Sequence, residues 1–181
     1  MQVLDTIRAH LRKLTYSALC LALCMVLPFL TGQIREIGNM LCPMHIPVFL
    51  AGFLCGPWYG LAVGAIAPLL RFFLFGRPLF FPSGLGMCFE LAAYGLISGL
   101  LYRRMPKKTS SLYISLVSAM LVGRAVWGAV MVCIAGLSEA TFSWAAFLAG
   151  AFLNAIPGII IQLLLIPAVV LGVQRAGKSH I

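Results

Sequence analysis

Residues 110–136, SSLYISLVSAMLVGRAVWGAVMVCIAG, contain one charged side chain, Arg124, in a stretch that is otherwise apolar or weakly polar. A run of roughly 20 such residues is what a helix needs to cross the hydrocarbon core of a bilayer. Lipid offers no partner to an unpaired backbone N–H or C=O, so a spanning segment must be a helix or a strand of a closed barrel. Five further apolar runs follow the same rule, at 14–30, 43–56, 58–76, 84–102 and 142–173. They predict an all-α membrane protein: a compact bundle of about six transmembrane helices, forming a single integral membrane domain over residues 1–181. The run at 43–56 is short for a full span, and the CGPWYG turn after it predicts a hairpin with the run at 58–76. The last run is long and carries Pro157 and Pro167, which predicts a kinked, tilted helix.

Composition agrees with lipid as the solvent. Hydrophobic residues make up 62% of the chain and charged ones 9%, whereas a soluble domain has about a quarter charged. The formal charge of +9 is not a nucleic-acid footprint, because the basic residues lie in short groups between apolar runs rather than on one solvated face. Their placement sets orientation instead. Arg8, Arg12, Lys13, Arg103, Arg104, Lys107, Lys108, Arg175 and Lys178 fall on one side of a six-helix bundle, against Arg35, Arg71 and Arg77 on the other. Both termini are therefore expected to be cytoplasmic. The first 30 residues have a basic start and an apolar core like a signal peptide, but PFLTGQ offers no small-residue cleavage site, so retention as the first helix is expected.

Cys20, Cys24, Cys55, Cys88 and Cys133 lie in or at the ends of apolar runs without a C-x-x-C pair, where cysteine acts as a small hydrophobe. Cys42 and His45, in CPMH, are one thiol and one imidazole, short of a metal site. No metal or cofactor is expected. With histidines only at 10, 45 and 180, the chain lacks an evident nucleophile and base for an intramembrane enzyme.

The polar residues inside the apolar runs say more. An ionised side chain at mid-bilayer costs roughly 3 kcal/mol or more on insertion scales, so Arg124 needs a partner. Glu90 and Tyr94 stand four residues apart on one helix face, about 9 and 15 Å below the outer end of their run. Trp127 follows Arg124 at i+3 toward the exterior, and Asn154, Gly158 and Gln162 share a face of the last run. Polar or aromatic groups on three consecutive helices at comparable depth suggest a cavity open to the outer side. The polar segment 31–43, with Asn39, is placed to act as a lid or as an ordinary connection. The candidate solute-binding residues are Arg124, Glu90, Asn154, Trp127, Tyr94, Asn39 and Gln162. A Glu90–Arg124 ion pair that only ties two helices together accounts for the same residues.

Ala18 and Ala22 form a small-x-x-x-small pair, which lets helices approach closely, within the chain or with a partner. Together with MHIPVFLAGFLCGPWYGLAVGAIAPLL (residues 44–70) and the six predicted helices, this resembles the substrate-binding S component of an energy-coupling factor (ECF) transporter. The resemblance covers nearly the whole chain, and the IPVFLAG opening followed by GPWYGLAVG is its most specific part. It implies a prokaryotic plasma-membrane protein that captures a vitamin-like small molecule. It further implies that Ala18 and Ala22 face a transmembrane coupling subunit joined to two cytoplasmic ATPases, and that the chain topples in the membrane to deliver its solute. Nickel and cobalt members carry an N-terminal histidine that MQVLDT lacks. Arg124 beside Asn154 suits a carboxylate, and pantothenate is the expected solute. The alternative is a stand-alone secondary transporter of a small organic solute, which often shows inverted repeats; none is evident here.

Overall fold

The computed structural model describes residues 2–30, 41–76, 78–137 and 156–178. Among these, six α-helices follow one another without a strand: α1 (Gln2–Leu30), α2 (His45–Leu54), α3 (Pro57–Phe75), α4 (Leu85–Arg104), α5 (Thr109–Leu137) and α6 (Ile156–Lys178). Five are long and apolar enough to cross a membrane, and α2 is shorter. The protein is an all-α membrane bundle.

The elements follow from local chemistry. Gly56 stops α2 with a backbone (φ 114°) that other residues rarely adopt, and Pro57 then occupies the first turn of α3, where a missing N–H costs nothing. This is the tight turn that CGPWYG predicts. Helix α3 ends on Gly76 in the left-handed conformation. One wide turn, Phe80–Gly84, leads into α4. Helix α1 starts at residue 2, twelve positions before its apolar run, because no glycine or proline interrupts residues 2–13. Only the part of the last predicted span from Ile156 onward falls within the described residues.

The centre is a seam where α2, α3 and α4 meet backbone to backbone. A Cβ built on Gly60 would lie 2.6 Å from the Gly95 carbonyl oxygen and 2.7 Å from the Gly52 Cα; one built on Gly95 would collide with Gly60. Lipid supplies no hydrophobic drive for helices to associate, so this intimacy is how such helices gain van der Waals contact. Around the seam pack Val48, Phe49, Ala51, Ala67 and Leu91, with Leu112, Leu116, Ala119, Ile166 and Val170 from α5 and α6.

The two ends differ. At one, the Tyr102 phenol and the Gln174 amide exchange hydrogen bonds that tie α4 to α6, and His10 Nδ1 lies 3.0 Å from the Tyr59 hydroxyl, tying α1 to α3. Lys107 stands 3.8 Å from the Tyr102 ring centroid and donates to the Tyr102 carbonyl at 2.8 Å. Burial and the neighbouring Arg103 charge lower its pKa. This end gathers the chain's basic groups. Near the other end Arg71, buried on α3, donates to the Met25 carbonyl of α1 at 3.0 Å, just before Pro28 interrupts the helix ladder, and lies beside the paired Phe29 and Phe75 rings, 5.6 and 5.5 Å from their centroids.

Candidate functional site

Fifteen residues separate Arg124 from the start of α5 and thirteen from its end, so it lies about 20 Å from either terminus. Its guanidinium meets the Glu90 carboxylate of α4 at 2.9 Å. The Tyr94 hydroxyl, one turn along α4, donates to the same carboxylate oxygen at 2.7 Å. Glu90 is 2% exposed and Tyr94 1%, so the charges are matched inside the bundle. A buried carboxylate left without its cation would cost several kcal/mol, about 3–5. The pairing that the sequence pattern suggests is therefore made.

The Tyr94 ring is held by neighbours from two other helices. Phe49 of α2 stacks on it with centroids 4.8 Å apart, and the His45 ring meets it edge-on at 5.1 Å. Gly123 of α5 lies against its edge, where any Cβ would overlap the ring. Turning Tyr94 away would break its packing against α2 and α5. Cys42, just before α2, also interacts with the Arg124 guanidinium. His45, Phe49 and Cys42 were not among the expected site residues. The spacing of His45 and Phe49, four apart on α2, is the sequence signal that would have placed them on one face.

Beside this cluster lies a cavity of about 210 Å³, lined by Tyr94, Arg124 and Gln162 together with Val117, Met120, Leu121, Ile159 and Leu163. Its walls come from α4, α5 and α6 and are almost wholly apolar, with Tyr94, Arg124 and Gln162 as the polar residues along its border. Three of the expected residues thus border one cavity, and Glu90 stands behind them, paired to Arg124. Trp127 does not line it. Its indole packs across Gly86 of α4, 3.0 Å from where a Cβ would stand, one turn from Glu90. Asn39 and Asn154 lie outside the described residues. Ala18 and Ala22 are both exposed on α1, while Ser17, Cys20 and Cys24 make its packed face. The alanine pair is therefore not used in packing the helices described here.

No curated protein and no solved structure gives a significant match to the chain. The family model described as "ECF transporter, substrate-specific component" matches residues 12–170, from the first helix almost to the end of the last. That span contains the glycine seam, the Glu90–Arg124 pair and the cavity. The chain belongs to the substrate-specific components of ECF transporters.

Proposed function

We propose that the chain captures a small carboxylate-bearing solute, pantothenate being the best candidate, in a cavity walled by α4, α5 and α6, and hands it to an ATP-driven coupling module across the prokaryotic cell membrane. As a substrate-specific component of a transporter, it is not itself an enzyme; hydrolysis falls to partner subunits. The observation that carries the substrate class is Arg124, a guanidinium at mid-bilayer that borders a cavity with Tyr94 and Gln162. Its fork grips a carboxylate at two points, and Tyr94 and Gln162 supply further hydrogen-bonding groups. Asn154 and Asn39 complete the proposed contacts, with Trp127 covering the outer side. Ala18 and Ala22 form the docking face for the coupling subunit, and the basic end of the bundle faces the cytoplasm.

Mass spectrometry of small molecules released from the purified protein, followed by calorimetric titration with pantothenate and with its neutral alcohol analogue pantothenol, tests this reading. The reading expects a carboxylic acid to be released and pantothenate to bind far more tightly than pantothenol. Release of a cationic or uncharged solute, or equal affinity for the two probes, would reject Arg124 as a carboxylate anchor.

A further inference from the structure

Arg124 and Glu90 cancel each other's charge at 2.9 Å, and the cavity reaches only one of the two. Arg124, Tyr94 and Gln162 border it, whereas Glu90 stands behind them, 2% exposed and outside the lining. A carboxylate arriving through the cavity meets the guanidinium while Glu90 stays shut off from water. Whether the guanidinium fork passes to the solute or is shared, two negative charges then depend on one positive charge. The other ionisable groups around Glu90 are few. Tyr94, on its own helix, donates to it at 2.7 Å; Cys42 and His45, before and at the start of α2, interact with Arg124. Among the described residues, α3, α6 and the Phe80–Gly84 turn bring no charged group to it.

We propose that Glu90 is a proton-binding site, and that it takes a proton from water whenever a carboxylate solute binds Arg124, so that the chain captures an acid rather than an anion. This rests on the proposed seating of a carboxylate on Arg124. Two penalties decide it. Leaving a buried carboxylate without its own cation weakens binding on the order of a hundred- to a few thousandfold. Protonating an ordinary glutamate at pH 7 costs roughly 500-fold, so protonation is the cheaper course over most of that range. The protonated acid keeps its bond to Tyr94, because a hydroxyl both donates and accepts. His45 is the poorer acceptor: a proton there would make a second cation near Arg124. The bound form holds one more proton than the free form, so affinity falls as pH rises, by up to tenfold per unit.

The test is calorimetric titration of the purified full chain with pantothenate at pH 7, in phosphate and in Tris. These buffers differ in their heat of ionisation, so the difference in binding heat gives the number of protons exchanged. Uptake of about half to one proton is expected, with affinity falling several-fold to tenfold between pH 7 and 8, where pantothenate itself stays ionised. Glu90→Gln is expected to lose both the exchange and the pH slope, and His45→Gln to keep the exchange. Infrared difference spectra of the native chain are expected to gain the carbonyl band of a protonated acid on binding; of the four acidic residues, Glu90 is the one inside an apolar run. If Glu90→Gln does not fold, absence of that band with pantothenate bound overturns the inference by itself. Binding without proton uptake would overturn it and leave the carboxylate anchor standing. Exchange that persists in Glu90→Gln, or disappears in His45→Gln, would overturn it by placing the proton elsewhere. Failure of the native chain to bind pantothenate would reject the solute reading and the inference together.

Discussion

Replacing Arg124 by alanine strands Glu90, and the structure allows the consequence to be sized. Glu90 is 2% exposed and its cation is Arg124, at 2.9 Å. Tyr94 still donates to it, but one phenol does not offset a buried negative charge. Breaking a buried pair from one side costs about 3–5 kcal/mol, a large part of any protein's margin. Arg124→Ala is therefore expected to melt well below the native chain in detergent. Glu90→Gln added to it removes the stranded charge and is expected to recover most of that loss, a coupling that a double-mutant cycle measures directly. Affinity separates the two roles of the arginine. As a solute anchor it contributes a charge-assisted hydrogen bond of about 1.5–3 kcal/mol, on the order of ten- to a hundredfold in Kd, which the double variant cannot restore. Arg124→Lys keeps the charge and loses the fork, and is expected to bind weakly. Melting curves and titrations of the three variants decide the matter. Recovery of stability with near-native affinity in the double variant would reduce Arg124 to a tie between α4 and α5, and an unchanged melting point in Arg124→Ala would refute the electrostatic argument itself.

Other outcomes follow from the same geometry. Tyr94→Phe keeps the stack on Phe49 and removes only the donor to Glu90, so a loss of about 1.5–3 kcal/mol in stability is expected from denaturation curves. Gly95→Ala sets a methyl group against the Gly60 backbone; overpacking costs of about 1–3 kcal/mol or more predict lower stability, whereas the same change at Gly136, with nothing among the described residues within 4 Å, is expected to be tolerated. Membrane-impermeant thiol reagents applied from outside should label single cysteines placed at positions 39 and 139 and should not reach one at position 107, on a background with the native cysteines replaced; external labelling at 107 would invert the orientation.

The bundle was legible in the sequence because a bilayer accepts few kinds of backbone, and long uncharged runs leave little choice. Arg124 was legible for the same reason: a guanidinium amid leucine, valine and alanine stands out, and the Glu90–Tyr94 spacing supplied its partner. Other features depended on which faces meet. Gly52, Gly60 and Gly95 look like ordinary membrane glycines until the helices are assembled, since nothing local records that their backbones touch. His45 read as the start of the short apolar run at 43–56 and, with Cys42, as short of a metal site, and its contact with the Tyr94 ring arises from the α2–α4 crossing. Trp127 follows the face of Arg124 along α5, yet its size carries it across Gly86 rather than into the cavity. The early start of α1 was hidden because residues 2–13 are polar enough to resemble a leader, while their propensity carries the helix straight through.

The glycine seam constrains how the cavity can change shape. Where side chains interdigitate, one helix can slide past another by small rotamer adjustments; where bare backbones touch, as at Gly60 and Gly95, there is no cushion to deform. The three helices α2, α3 and α4 therefore have no room to move closer together, and Glu90 and Tyr94 sit on this tightly joined wall. Under the proposed function, admission and release of a solute would fall to α5 and α6, which supply the other linings of the cavity. Arg124 on α5 is bonded to Glu90 on α4, so any widening between those two helices would have to stretch that ion pair.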